Sequence, residues 1–400
     1  MAAVELSARL VDQAIHYIPP VESTPWIIAD KDLLYRYRPF YDGPIYSAGA
    51  SLNNLGLRGE DVSKSKAAKT WRVLCLGDSR TFGFSAGQGH DYPTRMEERL
   101  RRHVRGRRLE VINAGRHGYT IYQGLRFLEL RGFDLEPDVV TVAFGFNDRR
   151  FVLRPEEADN AEWFRKAARR LARRQHPPAS YAWLGLEQLL GRDRSEGSWS
   201  EAVLALPSQR LDQLHCRVEP EAFRRHLLRL IELCRTRNVP VVVIIMGDAA
   251  KAERLFDEGQ RQRREGKYAE AIATFRTILD QPKELDYYDW FAPLVHYEIG
   301  LTHEAEGQTS AALAAFRQSA QAATLWSIQG GYVVRHVCEY TDVMRSVAAQ
   351  TKVPTLDLAA LFADEPDLFT DFCHYNNQGE RRAAEALADC LVKHQLLPRP

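Results

Sequence analysis

The chain has 400 residues, 45% hydrophobic and 27% charged, which excludes wholesale disorder and a single small domain and leaves enough apolar side chain for a substantial core. Lys plus Arg (54) nearly cancel Asp plus Glu (53), so the net charge of +1 gives no chain-wide field for nucleic acid or an acidic membrane; any charged partner must be read by a local patch, and no nucleic acid is expected as a partner. The longest apolar runs, such as VPVVVIIM at 239–246, are strand-length and far short of the roughly 20 residues that cross a bilayer, so no transmembrane segment is predicted.

The opening MAAVELSARLVDQAIHYIPP has no basic region followed by an apolar one, which predicts no secretory signal and a cytoplasmic setting. Six scattered cysteines (Cys75, Cys216, Cys234, Cys338, Cys373, Cys390) form no CxxC pair and are expected as free, mostly buried thiols. Residues 1–70 mix aromatics with Pro and Gly and read as an N-terminal extension of one helix, loops and short strands. From Trp71 strand-length apolar runs alternate with amphipathic helical segments, the pattern of a parallel sheet covered on both faces. The strands are 71–76, 109–114, 138–144, 239–246 and 353–358. Helices are predicted at about 91–105, 121–131, 220–237, 332–350 and 377–395.

Two segments interrupt this alternation. Residues 149–215, rich in Arg with Pro and aromatics, read as a lid-like insertion of helices and loops. Residues 250–326 hold an internal repeat: Gly259, Gly266, Ala271 and Phe275 match Gly300, Gly307, Ala312 and Phe316, each 41 residues on. The pattern resembles tetratricopeptide repeats, in which small residues let paired helices approach and an aromatic fills the gap, although the usual period is about 34. Two repeats fall below the three or so needed for a free-standing solenoid, so the pair should dock on the α/β core. The Arg-rich stretches at 99–108 and 165–174 lie on amphipathic helices in a near-neutral chain and read as solvated faces. The catalytic core then comprises 71–249 and 327–400, with 250–326 inserted between them.

The first core strand ends in LGDSRTFG, which puts Ser79 just past the carboxyl end of a parallel strand, where open α/β sheets build their sites. A serine hydroxyl needs a base to take its proton, and the base needs an orienting acid. FTDFCHYNNQGE supplies both: Asp371, three residues before His374, is near enough to fold back on the imidazole within one loop. Donors for a developing oxyanion are also required, and two further strand ends offer them, NAGRHGYT and FGFNDRR.

GDS, NxGxxG, GxND and DxxH, each after a strand and in this order, resemble the SGNH hydrolase superfamily, also called GDSL esterases or lipases. The resemblance implies a flavodoxin-like three-layer α/β/α sandwich with a five-stranded parallel sheet, and hydrolysis of carboxylic esters without a cofactor. Residue by residue it implies Ser79 as nucleophile and first oxyanion donor through its N–H, and Gly118 as second donor through its N–H. Asn147 would be the third donor through its amide, with Asp371 and His374 completing the triad. NNLGLRG, before the first core strand, also resembles an N-terminal extension of some bacterial members.

Some residues depart from the family pattern or stand outside it. Arg80 follows Ser79 where an apolar residue is common, and either favours an anionic substrate or points to solvent. Cys373 is expected as buried filler, and His117 as pocket lining or rim. Asp148 and Asn113 should hold the catalytic loops through hydrogen bonds. His90, His215 and His303 have no metal-ligand spacing, and no metal is implied. The expected substrate is an acyl ester of a glycan, lipid or small metabolite; an acyltransferase using the same triad, and a protein-binding module with a secondary hydrolase site, remain open. Both insertions leave from carboxyl ends of strands, so 250–326 is expected as either a lid or a docking surface for a protein or carrier.

Overall fold

The computed structural model describes residues 25–45, 48–104, 106–149, 151–152, 215–247, 251–280, 287–328, 338–371 and 373–398. The expected opening helix, most of the lid-like insertion and the 165–174 stretch lie outside the described residues. The chain begins with two antiparallel hairpins, β1 (Ile27–Asp30) with β2 (Leu34–Tyr37) and β3 (Asp42–Ile45) with β4 (Ala48–Ser51). Next come β5 (Thr70–Gly77), α1 (Ser79–Phe82), α2 (Tyr92–Leu100), β6 (Arg108–Asn113), α3 (Ile121–Phe127) and β7 (Val139–Ala143). A two-residue pair, β8 (Phe151–Val152) and β9 (His215–Cys216), precedes α4 (Pro220–Arg235) and β10 (Val241–Ile245). Four helices follow, α5 (Lys251–Arg264), α6 (Tyr268–Leu279), α7 (Tyr287–Ala305) and α8 (Thr309–Ile328), and then α9 (Cys338–Thr351), β11 (Thr355–Asp357), α10 (Leu358–Leu361) and α11 (Asn377–Lys393).

The core sheet is five-stranded and parallel throughout, in the order β11-β10-β7-β5-β6. Numbered by appearance this is 2-1-3-4-5, the flavodoxin-like order, whose switch point lies between β5 and β7. The central strands β7 and β10 are buried along their whole length because both faces are covered. Alternate side chains divide between two apolar clusters: Val73, Cys75, Val139, Val242 and Ile244 pack with α2 and α11, and Leu74, Leu76, Val140, Val142 and Val243 pack with α3, α4 and α9.

Helix starts follow local chemistry. Asp91 caps α2 by accepting from Thr94 N–H (3.1 Å), Thr120 and Gln123 form a capping box on α3, and Asn376 caps α11 by accepting from Gln378 and Gly379 N–H. The helix predicted over 121–131 instead gives way at Leu128 to a π-turn (Leu128–Gly132) and then a 3₁₀ turn (Phe133–Leu135).

In the repeat segment α5–α6 and α7–α8 form successive helical pairs. A Cβ on Gly259 would stand 2.6 Å from the Phe275 ring and one on Gly300 2.4 Å from the Phe316 ring, so this pair of repeated glycines marks sites of close ring contact. One apolar cluster takes in Val242 and Ile244 of β10 and Met246 just after it, together with Phe256, Phe275, Val295 and Ala315 of the helical pairs. Among the described residues no helix is long and apolar enough to cross a membrane. Cys75, Cys216, Cys234, Cys373 and Cys390 are buried thiols outside any disulfide.

Candidate active site

Ser79 opens α1 directly after β5, behind Asp78, which is the cap residue and accepts the Arg80 N–H through its side chain. Asp371 and His374 lie in the loop before α11. His374 Nδ1 is 2.7 Å from Asp371 Oδ2, and Nε2 is 2.8 Å from Ser79 Oγ. The three-residue spacing also lets Asp371 Oδ1 accept the backbone N–H groups of Cys373 (2.9 Å) and His374 (2.8 Å), so one carboxylate fixes both loop and ring. Burial alone would raise the Asp371 carboxyl, but the His374 hydrogen bond and charge with the two N–H donors outweigh it and hold the pKa below the ordinary value. An ionised Asp371 assigns the proton to Nδ1 and leaves Nε2 to accept from the Ser79 hydroxyl. Ser79 and His374 are nearly buried, 7% and 9% exposed.

The NxGxxG loop packs under Ser79. A Cβ on Gly115 would stand 2.2 Å from Phe82 N, so this loop approaches α1 only because residue 115 is glycine. Arg116 N–H donates to Gly77 O (3.1 Å), and Gly118 sits at φ +74°, a left-handed conformation that favours glycine. The Asn147 amide donates to Tyr119 O at 3.2 Å, one residue past Gly118.

Asn113 and Asp148 hold the loops, as expected. Asn113 Nδ2 donates to Thr81 O (2.9 Å) and Asp91 Oδ1 (3.0 Å), and its Oδ1 accepts Gly115 N–H. Asp148 joins the two further loops by accepting from Ile121 N–H (2.8 Å) and Gly145 N–H (3.0 Å). Burial pushes its carboxyl up to about 7 against the pull of those donors.

Arg80 differs from both readings of it. It is buried, turned back on Asp78 with Nη2 2.9 Å from Oδ2 and its guanidinium over the Phe146 ring. Its place two residues after the cap explains this, because a long side chain in the first turn of α1 reaches back to the cap carboxylate. His117 is not a rim residue either. It is buried, its Nδ1 bonded to Tyr37 Oη and its ring 4.6 Å from that of Phe82 and 5.2 Å from that of Phe84. Burial, then the His374 and Arg58 charges, hold its pKa well below the usual histidine value, so it is neutral near pH 7. Cys373 is buried with Sγ 3.6 Å from His374 Nδ1. Asp371, Cys373 and His374 form a compact group of potential ligands, but both imidazole nitrogens already face Asp371 and Ser79.

Sequence reasoning missed four residues. Phe84 stacks on His374 (centroids 4.2 Å, 20° between planes). Arg58 of the NNLGLRG stretch is buried and donates to four carbonyls, Phe82 O, Gly83 O, Ala86 O and Gly87 O, at 2.7–3.0 Å, with Nε 3.2 Å from Asp91 Oδ2. Tyr35 and Tyr37 reach the His117–Gly118 loop from β2. The only advance signal was period: in LYRY the two tyrosines alternate and so share one face. A cleft of about 360 Å³ lined by Arg95, Glu98, Arg99, Arg102, Arg381, Ala384 and Glu385 contains none of these residues.

The family described as GDSL-like Lipase/Acylhydrolase matches residues 75–295, more than half of the chain, a span that includes Ser79, Gly118 and Asn147. No curated protein matches. Among solved structures the chain is similar to the acetyl xylan esterase AlAXEase (14% identity, TM-score 0.37, covering 80% of this chain and 99% of that one). It is also similar to the lipase/acylhydrolase from Enterococcus faecalis (15%, TM-score 0.41, 82% and 99%) and to TesA (12%, TM-score 0.38, 82% and 99%). With its strand-end motifs, a five-stranded parallel sheet and the family match, the chain belongs to the GDSL-like lipase/acylhydrolase family, a family of carboxylic ester hydrolases.

Proposed function

We propose that the protein is a serine esterase that cleaves an acyl ester of a glycan, lipid or small metabolite through an acyl-enzyme. The observation that carries this reading is the hydrogen-bonded series Ser79 Oγ, His374 Nε2, His374 Nδ1 and Asp371 Oδ2, with links of 2.8 and 2.7 Å. His374 accepts the hydroxyl proton as Ser79 Oγ bonds to the ester carbonyl carbon. The resulting imidazolium is stabilised by the ionised Asp371. The carbonyl oxygen becomes the oxyanion, received by the Ser79 and Gly118 N–H groups and the Asn147 amide. Collapse breaks the ester C–O bond, and the leaving alcohol takes the proton from His374. Water, deprotonated by the same imidazole, then attacks the acyl carbon and releases the acid and free Ser79.

Ser79→Ala is expected to abolish turnover of p-nitrophenyl acetate and labelling by a fluorophosphonate probe, with the fold retained by circular dichroism. Turnover at the wild-type rate in that variant would overturn the assignment.

A further inference from the structure

We propose that Tyr35 and Tyr37, on the N-terminal hairpin, are positioning residues that aim the Gly118 N–H at the reacting carbonyl oxygen. The inference rests on the reading of Gly118 as an oxyanion donor and adds to it residues from outside the catalytic motifs.

The physics lies in one peptide unit. The His117 C=O and the Gly118 N–H belong to the same planar trans group, so they point in opposite directions and cannot turn separately. Tyr35 Oη donates to His117 O. Whatever fixes that carbonyl fixes the opposite N–H, and a hydrogen bond on the carbonyl also polarises the peptide and makes its N–H a better donor. Tyr37 secures the preceding step. Its Oη accepts the His117 N–H at 2.9 Å and bonds to His117 Nδ1. One phenol oxygen thus holds both the backbone N–H and the ring of His117. Burial keeps that ring neutral.

The following peptide is held as well, since Arg217 Nη1 donates to Gly118 O at 2.8 Å. Three successive units about Gly118 thus have fixed partners, two of them tyrosine hydroxyls from β2. The loop needs this restraint because Gly118, at φ +74°, is a glycine and has wider conformational freedom than any residue that carries a side chain. The hairpin is itself tied to the core: Tyr119 Oη donates to Tyr35 O (2.5 Å) and Gln123 Nε2 to Leu33 O (2.8 Å). Tyr37 also packs edge-on against Phe82, the last residue of α1.

Tyr35→Phe and Tyr37→Phe remove the hydroxyls and keep the rings. With p-nitrophenyl acetate, and rates expressed per site titrated by fluorophosphonate, kcat should fall roughly tenfold to a hundredfold in Tyr35→Phe, less than full loss of an oxyanion donor, while KM stays within about threefold. Tyr37→Phe should show the same split. Binding of a boronic acid, whose tetrahedral oxygen occupies the oxyanion site, should weaken by the same factor as kcat. Wild-type kcat per site in both variants overturns the inference, as does a loss confined to KM or one that leaves boronic acid binding intact. Ser79→Ala, assayed alongside, separates the two failures, because an active Ser79→Ala overturns the esterase reading itself.

Discussion

At the scale of single residues the site joins groups of opposite electrostatic character. Asp371 is held ionised by its hydrogen bonds, while Asp148, buried between two loops, has its carboxyl pushed up to about 7. An acid raised in the folded state keeps a proton that the unfolded chain has released, so its contribution to stability declines as pH rises from the ordinary value of 3.8 to about 7 and is level above that. The melting temperature of the wild type relative to Asp148→Asn should therefore fall between pH 5 and pH 8, by the equivalent of about 1 kcal/mol or more. A difference constant across that window would contradict a raised Asp148. The sequence revealed both residues, Asp371 by its distance from His374 and Asp148 by its place beside Asn147. It did not reveal the inward turn of Arg80, which depends on the Asp78 carboxylate and the Phe146 ring meeting it in three dimensions.

Among the elements, the pre-sheet segment departs furthest from what the sequence suggested. NNLGLRG reads as an irregular extension, but Arg58 threads into the turn after Ser79 and serves four carbonyl groups and Asp91 at once. A planar guanidinium can satisfy that many acceptors in a fixed arrangement, which a lysine ammonium cannot. Arg58→Ala leaves a buried carboxylate and four carbonyls without this partner, and should cost about 3–5 kcal/mol in urea denaturation. A loss under about 1 kcal/mol would mean that the segment is held elsewhere. The core strands were legible because a strand buried on both faces must be apolar throughout. The hairpins were less so: their short strands are only half-buried, and their partners lie far along the chain, as Tyr35 does from His117.

For the whole molecule, two apolar clusters flank one sheet, and the cluster on the α2 and α11 side extends into helices α5–α8. Shared apolar burial of this kind predicts that the helical pairs and the α/β core unfold together, so esterase activity and helical circular dichroism should be lost at the same temperature. Loss of helix ahead of activity would show that α5–α8 are stabilised independently. The sequence by itself determined the parallel sheet and the strand ends bearing Ser79, Gly118, Asn147 and the Asp371–His374 loop, because periodicity and short motifs are local properties. The equal 41-residue displacement likewise marked the glycines that meet phenylalanine rings. Only the tertiary structure decided that Nε2 of His374 faces Ser79 across 295 residues, and that residues before the sheet support the loop holding Gly118. Such contacts between distant residues depend on how the elements pack, which no local pattern in the chain encodes.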